Sequence, residues 1–241
     1  MRFGSLFAGI GGFDLGLERA GMECAWQVEI DPYARKVLQK HWPAVPKWDD
    51  VRTFPPAGDW SVDVICGGFP CQDISVAGKG AGIDGERSGL WSEYVRIIRE
   101  LRPSYVIVEN VAALLLRGID RVLGDLAESG YDAEWEVIPA CAFGLPHHRE
   151  RVWIVAYPGQ VRGERISQKP IFGVESIPWR ENVRRAEDWR SRWPANSPVL
   201  CGVGDGIPCR VDRLGCLGNA VVPQIAEFIG RCLMNAVNTE G

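Results

Sequence analysis

Several features that would assign a protein class at once are missing from this sequence. No uninterrupted apolar run approaches the roughly 18 residues that a membrane-spanning helix needs, so we expect no transmembrane segment and no membrane partner. The first residues become glycine-rich at once and contain no long apolar stretch, which makes a signal peptide a poor interpretation. We therefore expect a cytoplasmic protein.

Cysteine and histidine are not arranged as they are in metal sites. The eight cysteines include no CxxC pair, and the chain has only three histidines. Because structural zinc sites need closely spaced ligand pairs of these residues, we predict no metal. In a reducing cytoplasm, most of the cysteines are expected to be buried thiols.

An excess of positive charge is absent from the chain as a whole but not from one segment. The formal net charge is −4, which argues against a generally basic surface for nucleic acid. Residues 158–213 nevertheless carry ten Lys or Arg against seven Asp or Glu, and they are rich in Pro, Gly and Trp. The segment is either a nucleic-acid contact or a solvated loop face, and charge alone does not separate the two.

Short apolar runs alternate with amphipathic stretches from the N-terminus to about residue 156. Strands are predicted at RFGSLFA, ECAWQVE, SVDVIC, SYVIVEN, AEWEVIPA and ERVWIVA, with helices between most of them. This alternation is typical of an α/β protein with a doubly wound, mostly parallel sheet. We divide the chain into residues 1–157, an irregular segment 158–213, and a closing turn and helix within 214–241.

A glycine cluster, FAGIGGFDLG, lies between the first predicted strand and the first helix. Its glycines (Gly9, Gly11 and Gly12) would let a ligand approach the backbone and the helix N-terminus. Glu29 ends the next strand, 20 residues after Gly9, where an acidic residue can bind ribose hydroxyls. The pattern indicates a dinucleotide or S-adenosylmethionine (AdoMet), and the absence of GxGxxG favours AdoMet. A glycine-rich turn without a ligand is the alternative.

Three further motifs carry reactive or charged groups. Cys71 follows a predicted strand in GGFPCQDIS, where a loop could present its thiol, although a buried structural thiol is equally common. Glu109 and Asn110 end the apolar run SYVIVEN. Burial would raise the pKa of the Glu109 carboxyl group, so that this group could protonate a ring nitrogen. The alternative is that Glu109 caps the next helix. Arg149 and Arg151 share one strand face, either as an oxygen-binding pair or as ordinary surface arginines.

Together these motifs resemble those of the cytosine-5 DNA methyltransferase family. The cofactor motif is similar to LFAGIGGFDLGLERAG followed by VEIDPYA, and the catalytic loop is similar to GGFPCQDIS. The glutamate, QxRxR and final motifs resemble VENV, HHRER and GNAVVPQIA, and all appear in the order that the family has. The resemblance covers residues 3–156 and 214–230.

The resemblance implies a Rossmann-like, AdoMet-dependent fold and a specific reaction. A cytosine would be flipped out of double-stranded DNA, Cys71 would add to its carbon 6, and a methyl group would pass from AdoMet to carbon 5, leaving S-adenosyl-L-homocysteine. The catalytic positions that the resemblance implies are Cys71, Gln72, Glu109, Asn110, Arg149 and Arg151. The positions implied for the AdoMet pocket are Phe7, Gly9, Gly11, Gly12, Glu29, Ile30, Asp50, Val51, Pro70, Leu90, Asn219 and Ala220.

The sequence departs from the family pattern in three places. His147 replaces the glutamine of QxRxR, the motif before the last helix has no clear counterpart, and the recognition region is compressed into residues 158–213. Two alternatives therefore stay open: a methyltransferase for cytosine in RNA, and a catalytically inactive DNA-binding relative. A nicotinamide dehydrogenase is disfavoured by the glycine pattern. We expect a monomer that takes part in DNA methylation or restriction–modification.

Overall fold

The computed structural model describes residues 1–54, 60–70, 89–145, 147–159, 171–172 and 219–238. Cys71, Gln72 and most of the predicted recognition segment lie outside these ranges. The helices and strands, in chain order, are β1 (Arg2–Leu6), α1 (Gly12–Arg19), β2 (Glu23–Val28), α2 (Pro32–His41), β3 (Lys47–Trp48), β4 (Val64–Gly67), α3 (Leu90–Leu101), β5 (Tyr105–Val111), α4 (Leu114–Arg117), α5 (Ile119–Glu128), β6 (Tyr131–Pro139), β7 (Glu150–Pro158) and α6 (Pro223–Asn238).

The described strands form one seven-stranded sheet in the order β3-β2-β1-β4-β5-β7-β6. The five strands from β3 to β5 pair in parallel, whereas β7 is antiparallel to both of its neighbours. The strand order reverses at β1, which is the topology of a doubly wound sheet. The predicted α/β, mostly parallel, Rossmann-like fold is therefore confirmed.

Helices cover both faces of the sheet and bury a separate apolar cluster on each. On one face, α3 and α5 pack over β4 and β5 through side chains such as Trp91, Tyr94 and Val122. On the other face, α1 and α6 pack over the same strands through Phe13, Ile225 and neighbouring residues. Strands buried on both faces read as continuous apolar runs, which explains why SYVIVEN was recognisable in the sequence.

Helix α6 brings the end of the described chain back against α1. The two helices approach closely because α1 carries glycine at two positions one turn apart. A Cβ atom on Gly12 would lie 2.4 Å from the Val221 carbonyl oxygen, and one on Gly16 would lie 2.4 Å from the Pro223 carbonyl oxygen. These glycines therefore allow α6 and the residues just before it to pack against α1.

Two short elements were not predicted from the sequence. Strand β3 has only two residues and α4 only four, so neither is long enough to show a hydrophobic period. The start of α2, by contrast, carries two local signals that the sequence shows: Asp31 Oδ1 accepts a hydrogen bond from the Ala34 amide at 2.7 Å, and Pro32 is the first helical residue.

Two kinds of structure are absent from the parts of the chain that are described. No helix there is long and apolar enough to cross a membrane. No three side chains among its His, Cys, Asp and Glu residues are grouped as a metal site requires. The cysteines there, which are Cys24, Cys66, Cys141 and Cys232, are free thiols, and all but Cys232 are buried.

Alanine at two helical glycines should have opposite effects on stability. Gly16→Ala should lower the free energy of unfolding by about 1–3 kcal/mol, because the new methyl group collides with the α6 backbone. Gly124→Ala, in α5, should raise it by about 0.5–1 kcal/mol, because nothing lies within 4 Å of its Cβ and alanine favours a helix. Urea unfolding of both variants measures the two effects. Stabilisation by both would contradict the close α1–α6 contact.

Candidate active site

Glu29 joins the glycine loop to the end of β2. Its Oε2 accepts a hydrogen bond from the Gly9 amide at 2.7 Å, and its Oε1 accepts one from the Asp31 amide at 2.7 Å. Burial raises the pKa of Glu29, while the backbone donors favour its charged form. Since each carboxylate oxygen can accept more than one hydrogen bond, Glu29 can still bind the hydroxyl groups of a ligand.

The backbone of Phe7 is strained where the glycine loop begins. Its φ angle is 52°, in the left-handed region that costs an L-residue about 1–2 kcal/mol. Neighbouring hydrogen bonds hold this conformation: the Ala8 amide donates to the Val28 carbonyl at 3.0 Å, and the Gly11 amide donates to the Ala8 carbonyl at 2.9 Å. Strain of this kind is concentrated at ligand sites, where the surrounding structure maintains it.

Ile30 and the residues after β3 line the same cavity as Phe7 and Gly9. Ile30 is 63% exposed, which is unusual for a large apolar side chain and leaves its surface available to a ligand. Asp50 Oδ1 accepts a hydrogen bond from the Arg52 amide at 3.0 Å and thereby begins a short 3-10 helix, Val51–Thr53. Arg96 of α3 donates to the Val51 carbonyl at 3.0 Å, which ties this helix to the body of the protein.

Glu109 lies at the end of β5 and forms an ion pair with β7. The Arg151 Nε is 3.1 Å from Glu109 Oε1, and only 7% of the Glu109 residue is exposed. Burial raises the pKa of Glu109 to about 7, although Arg151 and Arg149 lower it. A carboxyl group with this pKa carries a proton for part of the time at neutral pH, so it can donate a hydrogen bond to a ligand nitrogen.

The residues just before Cys71 pack directly on the end of β5. Asn110 Nδ2 donates to the Phe69 carbonyl at 3.2 Å, and Asn110 is itself buried. A Cβ atom on Gly68 would lie 2.8 Å from Glu109 Oε2. Glycine at position 68 is therefore required for Glu109 to occupy its present position beside the loop that leads to Cys71.

Arg149 connects the same region to the last described segment. Its Nη2 donates a hydrogen bond to the Ala220 carbonyl at 2.8 Å. Desolvation and the neighbouring Arg151 lower the pKa of Arg149, whereas Glu109 raises it. Three parts of the chain that are far apart in the sequence thus meet near the carboxyl end of β5. They are the end of β5, the start of β7 and the residues before α6.

Most of these groups border one cavity of about 550 Å³, which is within the usual size range for small-molecule sites. The site residues expected from the sequence that line it are Phe7, Gly9, Glu29, Ile30, Asp50, Val51, Pro70, Leu90, Glu109, Asn110, Arg149, Arg151, Asn219 and Ala220. Residues that line it without having been expected there are Val28, Asp31, Ala34, Asp49, Arg52, Gly68, Phe69 and Val111.

Four expected site residues are not among those that line the cavity. Cys71 and Gln72 lie outside the described residues. Gly11 and Gly12 are described and lie at the start of α1: Gly11 is its N-cap with a φ angle of 86°, and a Cβ atom on Gly12 would lie 2.4 Å from the Val221 carbonyl oxygen. No sequence motif singled out the unexpected residues. Most of them are neighbours of expected ones in the sequence, as Asp49 is of Asp50 and Arg52 is of Val51.

A doubly wound sheet with an acidic residue ending β2 and a buried glutamate ending β5 fits the C-5 cytosine-specific DNA methylases. The model of that family matches residues 1–182, and the chain belongs to this family. One relative, the Type II methyltransferase M2.BsuMI of Bacillus subtilis (strain 168), is 38% identical over 232 residues, covering 86% of this chain and 58% of its own. A second, M.HhaI of Haemophilus parahaemolyticus, is 34% identical, covering 65% and 49%. The chain thus spans only about half the length of these relatives, 58% of the first and 49% of the second.

Solved structures share the fold at lower sequence identity. A prophage-encoded E. coli protein, solved as a candidate DNA modification methyltransferase, aligns with a TM-score of 0.64 and 17% identity over 99% of both chains. The S. pombe Dnmt2 methyltransferase aligns with a TM-score of 0.56 and 19% identity, covering 71% of this chain and 53% of its own. At these identities the similarity establishes the fold alone.

The free energy of unfolding should depend on pH through Glu109. Its pKa is about 7 in the folded protein against 4.5 in an ordinary environment, so the folded state binds the proton more tightly. Glu109 therefore contributes stability that is complete below pH 4.5 and is lost as the pH rises through 7. The wild type should lose about 3 kcal/mol relative to Glu109→Gln over this range. Urea unfolding of both proteins between pH 4.5 and 8 checks this, and parallel pH profiles would contradict it.

Proposed function

We propose that the protein is a DNA (cytosine-5-)-methyltransferase. The observation that carries this proposal is that the Glu109–Arg151 pair and the groups suited to a nucleoside cofactor border the same cavity. Membership of the C-5 cytosine-specific DNA methylase family supports the choice of cytosine as the base and of DNA as the substrate.

The cavity fits AdoMet in size and in the chemistry of its walls. Glu29 would bind the ribose hydroxyls, Asp50 and the Val51 backbone would bind the adenine edge, and Ile30 would cover the adenine face. The remaining cofactor-binding positions are Phe7, Gly9, Pro70, Leu90, Asn219 and Ala220, and we keep Gly11 and Gly12 only as residues that shape the loop. When bound, AdoMet supplies the electrophilic methyl group, and S-adenosyl-L-homocysteine is the product.

The chain's own residues would activate the cytosine. Cys71, as thiolate, would add to carbon 6, which moves electron density to carbon 5 and makes that carbon nucleophilic. Glu109 would hold a proton at ring nitrogen 3 and so stabilise the charge that develops there. After methylation, loss of the proton from carbon 5 would expel the Cys71 sulfur and restore the aromatic ring.

The other catalytic positions would orient these two groups. Arg151 would share its guanidinium between Glu109 and the cytosine carbonyl oxygen, while Arg149 would support the site through its bond to Ala220. Asn110 would hold the loop that leads to Cys71, a role supported by its hydrogen bond to Phe69. Gln72 is assigned to the same loop from the family motif alone.

We also propose how the chain is divided and where it acts. Residues 1–157 and 214–241 would form the catalytic domain, and residues 158–213 would read double-stranded DNA. We propose a monomer in the cytoplasm of a bacterial or phage-infected cell, associated with the nucleoid. The Type II names of the relatives support a place in restriction–modification.

Methyl transfer from labelled AdoMet to duplex DNA tests the proposed function. The wild type should label DNA, and Cys71→Ser should lose at least about 10³-fold in rate because the hydroxyl is a far weaker nucleophile. DNA that contains 5-fluorocytosine should trap a covalent complex with the wild type, since fluorine cannot leave as a proton does. Label that enters only transfer RNA would favour an RNA methyltransferase, and no transfer to either would refute both.

Gly68→Ala should reduce catalysis without unfolding the protein. The new methyl group would displace the Glu109 carboxylate, and a shift of about 1 Å at a catalytic group can lower the rate about 100-fold. The free energy of unfolding should change by less than about 1 kcal/mol, because only the end of a side chain has to move. Gly124→Ala, whose Cβ meets nothing, is the control and should keep wild-type kcat. Unchanged kcat in Gly68→Ala would argue against the catalytic position of Glu109.

A further inference from the structure

Glu134, on the edge strand β6, makes an unusual set of contacts away from the cavity. Its Oε1 accepts hydrogen bonds from the Tyr157 hydroxyl at 3.0 Å and from the Ile171 amide at 3.3 Å. Its Oε2 accepts one from the Phe172 amide at 3.3 Å. None of these four residues lines the cavity. One carboxylate thus joins β6, β7 and a turn that lies beyond the sheet.

The turn at Ile171 and Phe172 is packed as well as hydrogen-bonded. Ile171 is only 6% exposed, and it belongs to the apolar cluster that contains Trp153 and Val155 of β7. Phe172 is partly buried against the same cluster. The chain leaves the sheet at Gly159, whose amide donates to the Gly130 carbonyl at 2.8 Å, and 12 residues later it contacts the sheet again.

A carboxylate is the side-chain group that best satisfies these donors. Two successive backbone amides beside an apolar cluster need two acceptors, and the two oxygens of Glu134 provide one each. A glutamine would offer one acceptor oxygen and direct an NH₂ group at the other donor. Burial and the Glu134 contact raise the pKa of Tyr157 to about 12, so its hydroxyl remains a donor at neutral pH.

We propose that Glu134 is a positioning residue for target recognition, because it holds the Ile171–Phe172 turn, which belongs to the 158–213 segment, against the sheet. This inference rests on the proposed function, in which that segment reads the DNA sequence. We therefore expect the contact to affect the binding of DNA and of AdoMet differently. The contact should matter for binding DNA, whereas AdoMet binding should not depend on it, since the cavity has no wall residue in common with it.

The contact itself is tested by amide hydrogen exchange at Ile171 and Phe172. Glu134→Ala should raise exchange at both amides about tenfold or more, since each loses a charged acceptor. Glu134→Gln, which keeps the shape of the side chain, should raise it less. Tyr157→Phe removes only the third donor and should leave both amides protected. Glu23→Gln removes an exposed carboxylate from β2 and is the matched control.

The positioning role is tested by steady-state kinetics on duplex DNA. Glu134→Ala should raise KM for DNA about tenfold, while the Kd for AdoMet stays within about twofold of the wild-type value. Glu23→Gln should match the wild type in both quantities. Thermal unfolding shows whether each variant is folded. If Glu134→Ala does not fold, the isosteric Glu134→Gln takes its place in the measurement of KM for DNA.

Three results would overturn the proposal, and they are distinguishable. Unchanged exchange in Glu134→Ala would show that the carboxylate does not hold the turn. Faster exchange with an unchanged KM for DNA would show that it holds the turn without positioning recognition. A wild-type protein with protected amides but no methyl transfer to DNA would refute the proposed function and, with it, the recognition role of Glu134.

Discussion

The ion pair between Glu109 and Arg151 depends on strand β7, which runs antiparallel to the described strands on either side of it. Strand β7 runs antiparallel to β5 in a register that pairs Val111 with Arg151 and Glu109 with Trp153. Glu109 and Arg151 are therefore diagonal neighbours, within reach of each other across the two strands. Burying the carboxyl group without the guanidinium would cost several kcal/mol. The balance between desolvation and that cation leaves the pKa of Glu109 near 7.

The rest of the cavity is assembled around this pair by close backbone contacts. Gly68 lets the chain before Cys71 pass directly over Glu109, and Gly12 lets the residues before α6 approach the loop after β1. Arg149 then joins β7 to Ala220 in that last segment. A larger side chain at Gly68 would displace the Glu109 carboxylate, and one at Gly12 would push the Val221 backbone away. A pattern of polar and apolar residues does not reveal such requirements, because it does not show which distant residues a glycine contacts.

Most of the architecture could be predicted because its signals are local. Continuous apolar runs such as SYVIVEN indicate strands buried on both faces, and Asp31 with Pro32 marks a helix start. The two-residue β3 and the four-residue α4 were missed because such short elements depend on their neighbours rather than on a period. Gly12 and Gly16 illustrate a second limit, since a glycine in a sequence does not show which distant part of the chain packs against it.

The sequence therefore determined the order of the local elements and the chemical groups near their ends: an acidic residue after β2, a carboxyl group near the end of β5 and two arginines at the start of β7. Only the tertiary structure decided which of these groups meet, how deeply each is buried, and how burial and neighbouring charges shift its pKa. The Glu134 contact is another such case, because a surface glutamate on an edge strand is unremarkable until Ile171 and Phe172 pack against it. Hydrophobic pattern and turn chemistry act over a few residues, whereas desolvation, ion pairing and close approach depend on residues that only folding brings together.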